Sequence, residues 1–142
     1  MIVERMARMV ANLQKEEGFS AHAYQDHLGV WTIGHGRNID KERGGLGISL
    51  DEAEILLRSD IRRAAIELEH RLPWVASVEL DRREALVELA FQLGVPRLLK
   101  FRKMLAALEA GDFARASAEL LDSKYATQTP ARAQRYADRL RG

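Results

Sequence analysis

Seven of the ten glycines (Gly18, Gly29, Gly34, Gly36, Gly44, Gly45 and Gly47) fall within one third of the chain, and this clustering constrains the fold more than any other feature. A stretch so rich in glycine turns often and lets backbone segments approach closely, while the remainder is left to run in longer helices. The expectation is a small irregular lobe followed by a helical one. With 142 residues, 46% hydrophobic and 30% charged, one soluble globular domain has enough apolar material for a proper core.

Charge and cysteine usage exclude several classes. Twenty-two Lys and Arg against twenty-one Asp and Glu leave a net charge of +1, so no whole-chain field points toward nucleic acid or an anionic membrane. Without cysteine there is no disulfide framework, thiolate metal site or cysteine nucleophile. Residues 1–13 mix Ile2, Met6, Met9, Val10 and Leu13 with Glu4, Arg5 and Arg8, which is not the unbroken apolar run of a signal peptide. No segment is long and apolar enough to span a bilayer.

Periodicity supplies the elements. Positions 2, 6, 9, 10 and 13 form one apolar helical face, and that helix should stop near Gly18. Tyr24, Leu28-Gly29, Val30, Trp31, Thr32 and Ile33 read as a short β-hairpin between positions 23 and 33. Ser49 with Glu52 is a capping box for the longest helix, whose face runs through Leu57, Ile61, Ala64, Ala65, Leu68 and Leu72 until Pro73. Asp81 with Glu84 opens a helix closed by Gly94 and Pro96. Three more helices are expected: Leu98 to Leu108, Phe113 to Leu121 capped by Asp112, and one beginning at Pro130 capped by Thr129.

The chemistry-bearing stretch runs Glu17-Gly18-Phe19, Tyr24-Gln25-Asp26, Gly29, then Thr32-Ile33-Gly34-His35-Gly36. It sets a carboxylate at a helix end, a second nine positions later in a hairpin, and a hydroxyl six beyond that. Two carboxyls in different surroundings can take opposite protonation states, one donating a proton while the other orients water, which glycoside hydrolysis requires. Taken singly, each residue also has an ordinary reading: Glu17 as a helix-end charge, Asp26 as a turn former, Thr32 as a strand residue. His22, His27, His35 and His70 fit no zinc spacing, and Arg43-Gly44-Gly45-Leu46-Gly47 lacks the ending of a phosphate loop. Neither a metal nor a cofactor is expected. Trp31 and Trp74 read as packing anchors more readily than as sugar platforms.

The run Glu-Gly, Tyr-x-Asp, Gly-x-x-Thr-Ile-Gly-x-Gly resembles the phage T4-type lysozymes, glycoside hydrolase family 24. The likeness continues through Ala90-Phe91-Gln92-Leu93-Gly94, Phe101 with Met104-Leu105, Gly111-Asp112-Phe113, and Ser123-Lys124-Tyr125 to Gln128-Thr129-Pro130-x-Arg132-Ala133, covering nearly the whole chain. The resemblance implies an α+β lysozyme-like fold, mostly helical. Its small lobe spans about residues 14–50 with a hairpin, a connecting helix about 50–72, and a helical lobe about 74–142 on which the N-terminal helix packs.

It further implies that Glu17 is the general acid, that Asp26 and Thr32 hold the attacking water, and that the anomeric carbon inverts. By the same likeness Arg132 lies close to Glu17, and Phe91, Gln92, Arg132, Asn38 and Met104 contact substrate. Core packing is an equal reading for Phe91, and a surface charge remains open for Arg132. Where the family pattern often has His after the last glycine, this chain has Arg37-Asn38, so the ion pair made by that histidine does not carry over. The implied protein is a monomeric phage or prophage endolysin that cleaves the β-1,4 bond between N-acetylmuramic acid and N-acetylglucosamine in bacterial peptidoglycan. It would be made in the host cytoplasm, released by a holin and act at the periplasmic wall, without nucleic acid or membrane insertion.

Three rivals remain open at this point. A lytic transglycosylase of the same fold needs the acid but no held water. A helical nucleic-acid-binding module would use the local basic cluster Lys124, Arg132, Arg135, Arg139 and Arg141. A catalytically silent relative would bind the wall and release nothing.

Overall fold

Gly18 ends the first helix where the glycine cluster begins, and a small sheet follows at once. In the computed structural model, which describes residues 3–142 and their side chains except that of Glu4, helix α1 spans Met6–Glu17 and Gly18 closes it at φ +70°. Strands β1 (Ser20–Gln25), β2 (Trp31–Gly34) and β3 (Arg37–Asn38) form one antiparallel sheet in the order β1-β2-β3. The expected hairpin is therefore longer and gains a third strand. Arg37 and Asn38 carry little strand propensity, and their pairing with Ile33 and Thr32 comes from backbone partners left free along β2.

The chain divides into two compact units, Met1–Glu54 and Ile55–Gly142. In the first, the expected apolar stripe of α1 stays open: Met6, Val10 and Leu13 are exposed, and Ile2 lies outside the described residues. Among its described residues only Thr32 is buried. Polar clasps hold this unit instead. Helix α2 (Leu50–Arg71) starts on the expected capping box, with Glu52 N–H donating to Ser49 Oγ and Ser49 N–H to Glu52 Oε1, both at 3.2 Å. Arg37 then spans Glu52, Nη1 to Oε2 at 2.5 Å, and the Gly47 carbonyl, with Nη2 at 2.7 Å. The arginine that displaces the family's histidine thus makes an ion pair of its own.

The second unit holds the core, with Leu68, Leu86, Leu89, Leu98, Leu120 and Leu140 fully buried. Helix α3 (Leu80–Leu93) has Glu79 at its N-cap, so Asp81 stands in the first turn rather than opening the helix. The single helix expected over Leu98 to Leu108 is broken. A short α4 (Val95–Leu98) admits Pro96 in its first turn, and Phe101, at ψ 58°, interrupts the path before α5 (Arg102–Glu109). Asp112 caps α6 (Phe113–Leu121) through the Arg115 N–H, as expected. An unexpected α7 (Lys124–Gln128) is capped by Ser123, and Thr129 donates its hydroxyl to the Tyr125 carbonyl, leaving α8 (Pro130–Arg141) without a side-chain cap.

Arg82 joins three of these helices. Its guanidinium donates to the Leu140 carbonyl (2.7 Å), the Arg141 carbonyl (2.8 Å) and Glu79 Oε2 (2.7 Å), and its Cζ lies 3.6 Å above the Phe113 ring centre. The fork satisfies carbonyls that the end of α8 cannot satisfy itself. Arg82→Ala is expected to lower the stability of the second unit by about 1.5–3 kcal/mol, with Arg82→Lys recovering less than half, in urea melts followed by circular dichroism. Equal midpoints for all three proteins would show that the fork carries no stability.

Candidate active site

Because Gly18 decides where α1 stops, it also decides that Glu17 is the last helical side chain. The Glu17 carboxyl group lies against the turn between β2 and β3: a Cβ at Gly36 would stand 2.6 Å from Glu17 Oε2. Gly36 also holds φ +75°, so glycine serves there both for conformation and for the approach of the carboxyl group. Glu17 is exposed, and its own unit does not supply the burial expected of a proton donor.

Asp26 closes the turn from β1 to β2. Its Oδ1 accepts the N–H of Leu28 at 2.8 Å and of Val30 at 2.9 Å, while its own N–H donates to the Val30 carbonyl at 3.0 Å. The Val30 N–H foremost holds the Asp26 carboxyl below the usual range; desolvation, next in size, opposes it, and the Leu28 N–H with the charges of His27 and Arg43 lowers it further. Asp26 therefore stays ionised while Oδ1 is occupied.

Thr32 converges on the same residue: its hydroxyl donates to the Val30 carbonyl at 3.0 Å. Pairing of Tyr24 with Thr32, and of Thr32 with Asn38, puts these three in one row across the sheet. Thr32 is 5% exposed, and with its hydrogen committed it can only accept from a further partner. Asn38 anchors a loop, since Oδ1 accepts the Asp40 N–H at 3.0 Å and a Cβ on Gly45 would run into it. Its amide NH₂ is what remains for a ligand.

In the second unit, Phe91, Gln92 and Arg132 line one groove of about 570 Å³ together with Leu57, Ile61, Val87, Glu88 and Tyr136. Helix α3 supplies Phe91 and Gln92, and α8 supplies Arg132 and Tyr136 four positions apart on one face. Gln92 is held at both ends, its Nε2 donating to Tyr136 Oη at 2.7 Å and its Oε1 accepting from Tyr125 Oη at 3.2 Å. Tyr136 donates on to Glu88, which pairs with Arg139 at 2.6 Å. Burial raises the Tyr125 hydroxyl above its usual range, keeping it a donor. Sequence reasoning missed Tyr136 and Glu88 as members of this lining. The four-residue spacings 88–92 and 132–136 were the available signal.

Met104 does not join them. It is 1% exposed, packed in the core, and lines a separate depression with Lys100, Arg102 and Lys103. The basic cluster at the C-terminal helices is partly neutralised, Arg139 by Glu88 and Arg141 by Asp138. Among the described residues no group of three His, Cys, Asp or Glu is placed to hold a metal. Among the described residues no helix is long and apolar enough to cross a membrane.

A mostly helical chain with a small three-stranded antiparallel sheet has the α+β architecture of a lysozyme-like protein, and comparison with known proteins agrees. Residues 14–137 match the family model described as phage lysozyme. The chain is 31% identical to the Dictyostelium discoideum protein named "Probable T4-type lysozyme 2", with 87% of each covered. It is 30% identical to the pre-baseplate central spike protein of Enterobacteria phage T4, over 89% of this chain and 26% of that protein. An endolysin of Acyrthosiphon pisum secondary endosymbiont phage 1 is 28% identical over 77% of this chain and 72% of its own. The chain belongs to the phage lysozyme family, and that membership supports a lysozyme-type, peptidoglycan-lytic role.

The lowered Asp26 carboxyl links the sheet to pH. A group whose folded pKa lies below its unfolded one adds stability above the unfolded value and loses it as pH falls through the folded value. Asp26→Asn keeps an oxygen for the two N–H donors but removes the charge. The wild-type advantage in urea melts followed on the Leu28 and Val30 amide resonances is expected at about pH 7 and smaller at about pH 3, below the ordinary carboxylate range. An advantage of equal size at both would show that charge is not its source.

Proposed function

We propose that this protein hydrolyses the β-1,4 bond between N-acetylmuramic acid and N-acetylglucosamine in bacterial peptidoglycan, with inversion at the anomeric carbon. The reading rests on one observation above all: Asp26 and Thr32 are anchored on the same residue, Val30, in a sheet whose far turn carries Glu17 against Gly36. The protonated Glu17 donates to the glycosidic oxygen as the bond to the anomeric carbon breaks. Water donates one hydrogen to Asp26 Oδ2 and the other to Thr32 Oγ1, which directs its oxygen lone pair at that carbon. Asp26 takes the water proton as the new C–O bond forms, so the charge on Glu17 and Asp26 is exchanged and the sum is unchanged.

In this reading the first unit supplies the acid and the water, and the groove of Phe91, Gln92, Arg132 and Tyr136 on the second binds glycan. The chain is one lysozyme-like domain, with Arg132 and Asn38 acting toward substrate. The protein serves as a monomeric phage or prophage endolysin, held in the host cytoplasm and passed to the wall by a holin.

Purified Gram-negative sacculi test the chemistry. Glu17→Gln and Asp26→Asn are each expected to slow the release of reducing ends by roughly 10²–10⁴-fold, and nuclear magnetic resonance of the fresh product is expected to show the inverted anomer. Anhydro products, one water lighter by mass, would assign the protein to the transglycosylases instead. A retained anomer would remove the held-water mechanism, and full activity of Glu17→Gln would remove the acid.

A further inference from the structure

Beyond the acid and the water clamp, one side chain in the first unit has contacts that neither role explains. His35 sits between Gly34 (φ +67°) and Gly36 (φ +75°) in the turn joining β2 to β3. Its Nδ1 lies 2.6 Å from the Gly18 carbonyl and its Nε2 lies 3.5 Å from Gln14 Nε2. The Phe19 ring stands alongside, 5.4 Å between centroids.

The partners assign the tautomer. A carbonyl only accepts, so Nδ1 carries the hydrogen, and the neutral ring then offers Nε2 to the Gln14 amide as acceptor. Gly18 O is one of the carbonyls that the end of α1 cannot satisfy within the helix, and Gln14 stands one turn before it. Both contacts therefore bind the last turn of α1 to a turn whose two glycines give it little stiffness of its own. Glu17 lies in that last turn, and its carboxyl group rests on Gly36, the residue after His35. Helix ends fray readily, whereas a proton donor must be kept close to its productive position.

We propose that His35 is a positioning residue that clamps the C-terminal end of α1 to the β2–β3 turn and so holds Glu17 in place. The inference rests on the reading of Glu17 as the acid. The ring itself takes no part in bond making.

The test compares His35→Ala and His35→Asn with wild type and with Glu17→Gln on soluble peptidoglycan strands, with amide exchange of residues 14–19 measured in the same proteins. Asn carries an amide NH₂ close to where Nδ1 donates, so it restores the bond to Gly18 without the ring. His35→Ala is expected to speed exchange in 14–19 but not in 113–141, and to lower kcat roughly 5–20-fold with KM changed less than about twofold. His35→Asn is expected to recover most of both. Unchanged exchange in His35→Ala, a loss carried by KM, a kcat like wild type, or an Asn variant no better than Ala would each overturn the clamp. With Glu17→Gln inactive, those outcomes leave the acid reading standing. A Glu17→Gln variant as active as wild type, or a wild type that releases nothing, would overturn the acid reading and the clamp together.

Discussion

A single carboxylate oxygen organises the first unit. Asp26 Oδ1 accepts two backbone N–H groups across the turn from β1 to β2, and without it the Leu28 and Val30 donors would need water. Among its described residues this unit has no buried apolar side chain to define its geometry, so polar clasps of this kind take the place of packing. The consequence reaches the chemistry. Because one oxygen closes the turn, the carboxylate cannot rotate freely, and its charge is kept by the donors that fix it. Turn closure and the lowered carboxyl come from the same two hydrogen bonds.

The second unit reaches order by another route. Its leucine core fixes the helices, and over that core a chain of polar side chains runs from Tyr125 through Gln92 and Tyr136 to Glu88 and Arg139. Each member both orients and satisfies the next, so the Gln92 amide cannot turn over without losing both bonds. A groove lined in this way presents fixed donors and acceptors beside the apolar faces of Phe91 and Val87.

Much of this was legible in the residues. Gly18 as a helix stop, the Ser49–Glu52 box, Asp112 as a cap and the long run to Pro73 are local effects, settled within three or four positions, and the structure shows each of them. The miscues share a physical origin. Leu98 to Leu108 has continuous helical periodicity, yet the path bends at Phe101, and nothing in the spacing announces it. Strand β3 pairs because β2 had donors and acceptors to spare, not because Arg37 and Asn38 prefer strands.

By itself the sequence determined the order of elements, the positions at which glycine was needed, and which residue types stand ready to donate a proton or hold water. These depend on backbone sterics and side-chain chemistry, which are properties of neighbours along the chain. Only the tertiary structure decided that Asp26 and Thr32 would meet on Val30, that Arg37 would find Glu52, that Gln92 would be held by two tyrosines from other helices, and that His35 would reach back to Gly18. Such meetings bring together groups separated by anything from a few positions to several dozen, and the folding of the intervening backbone, rather than the order of residues alone, sets the distance between them.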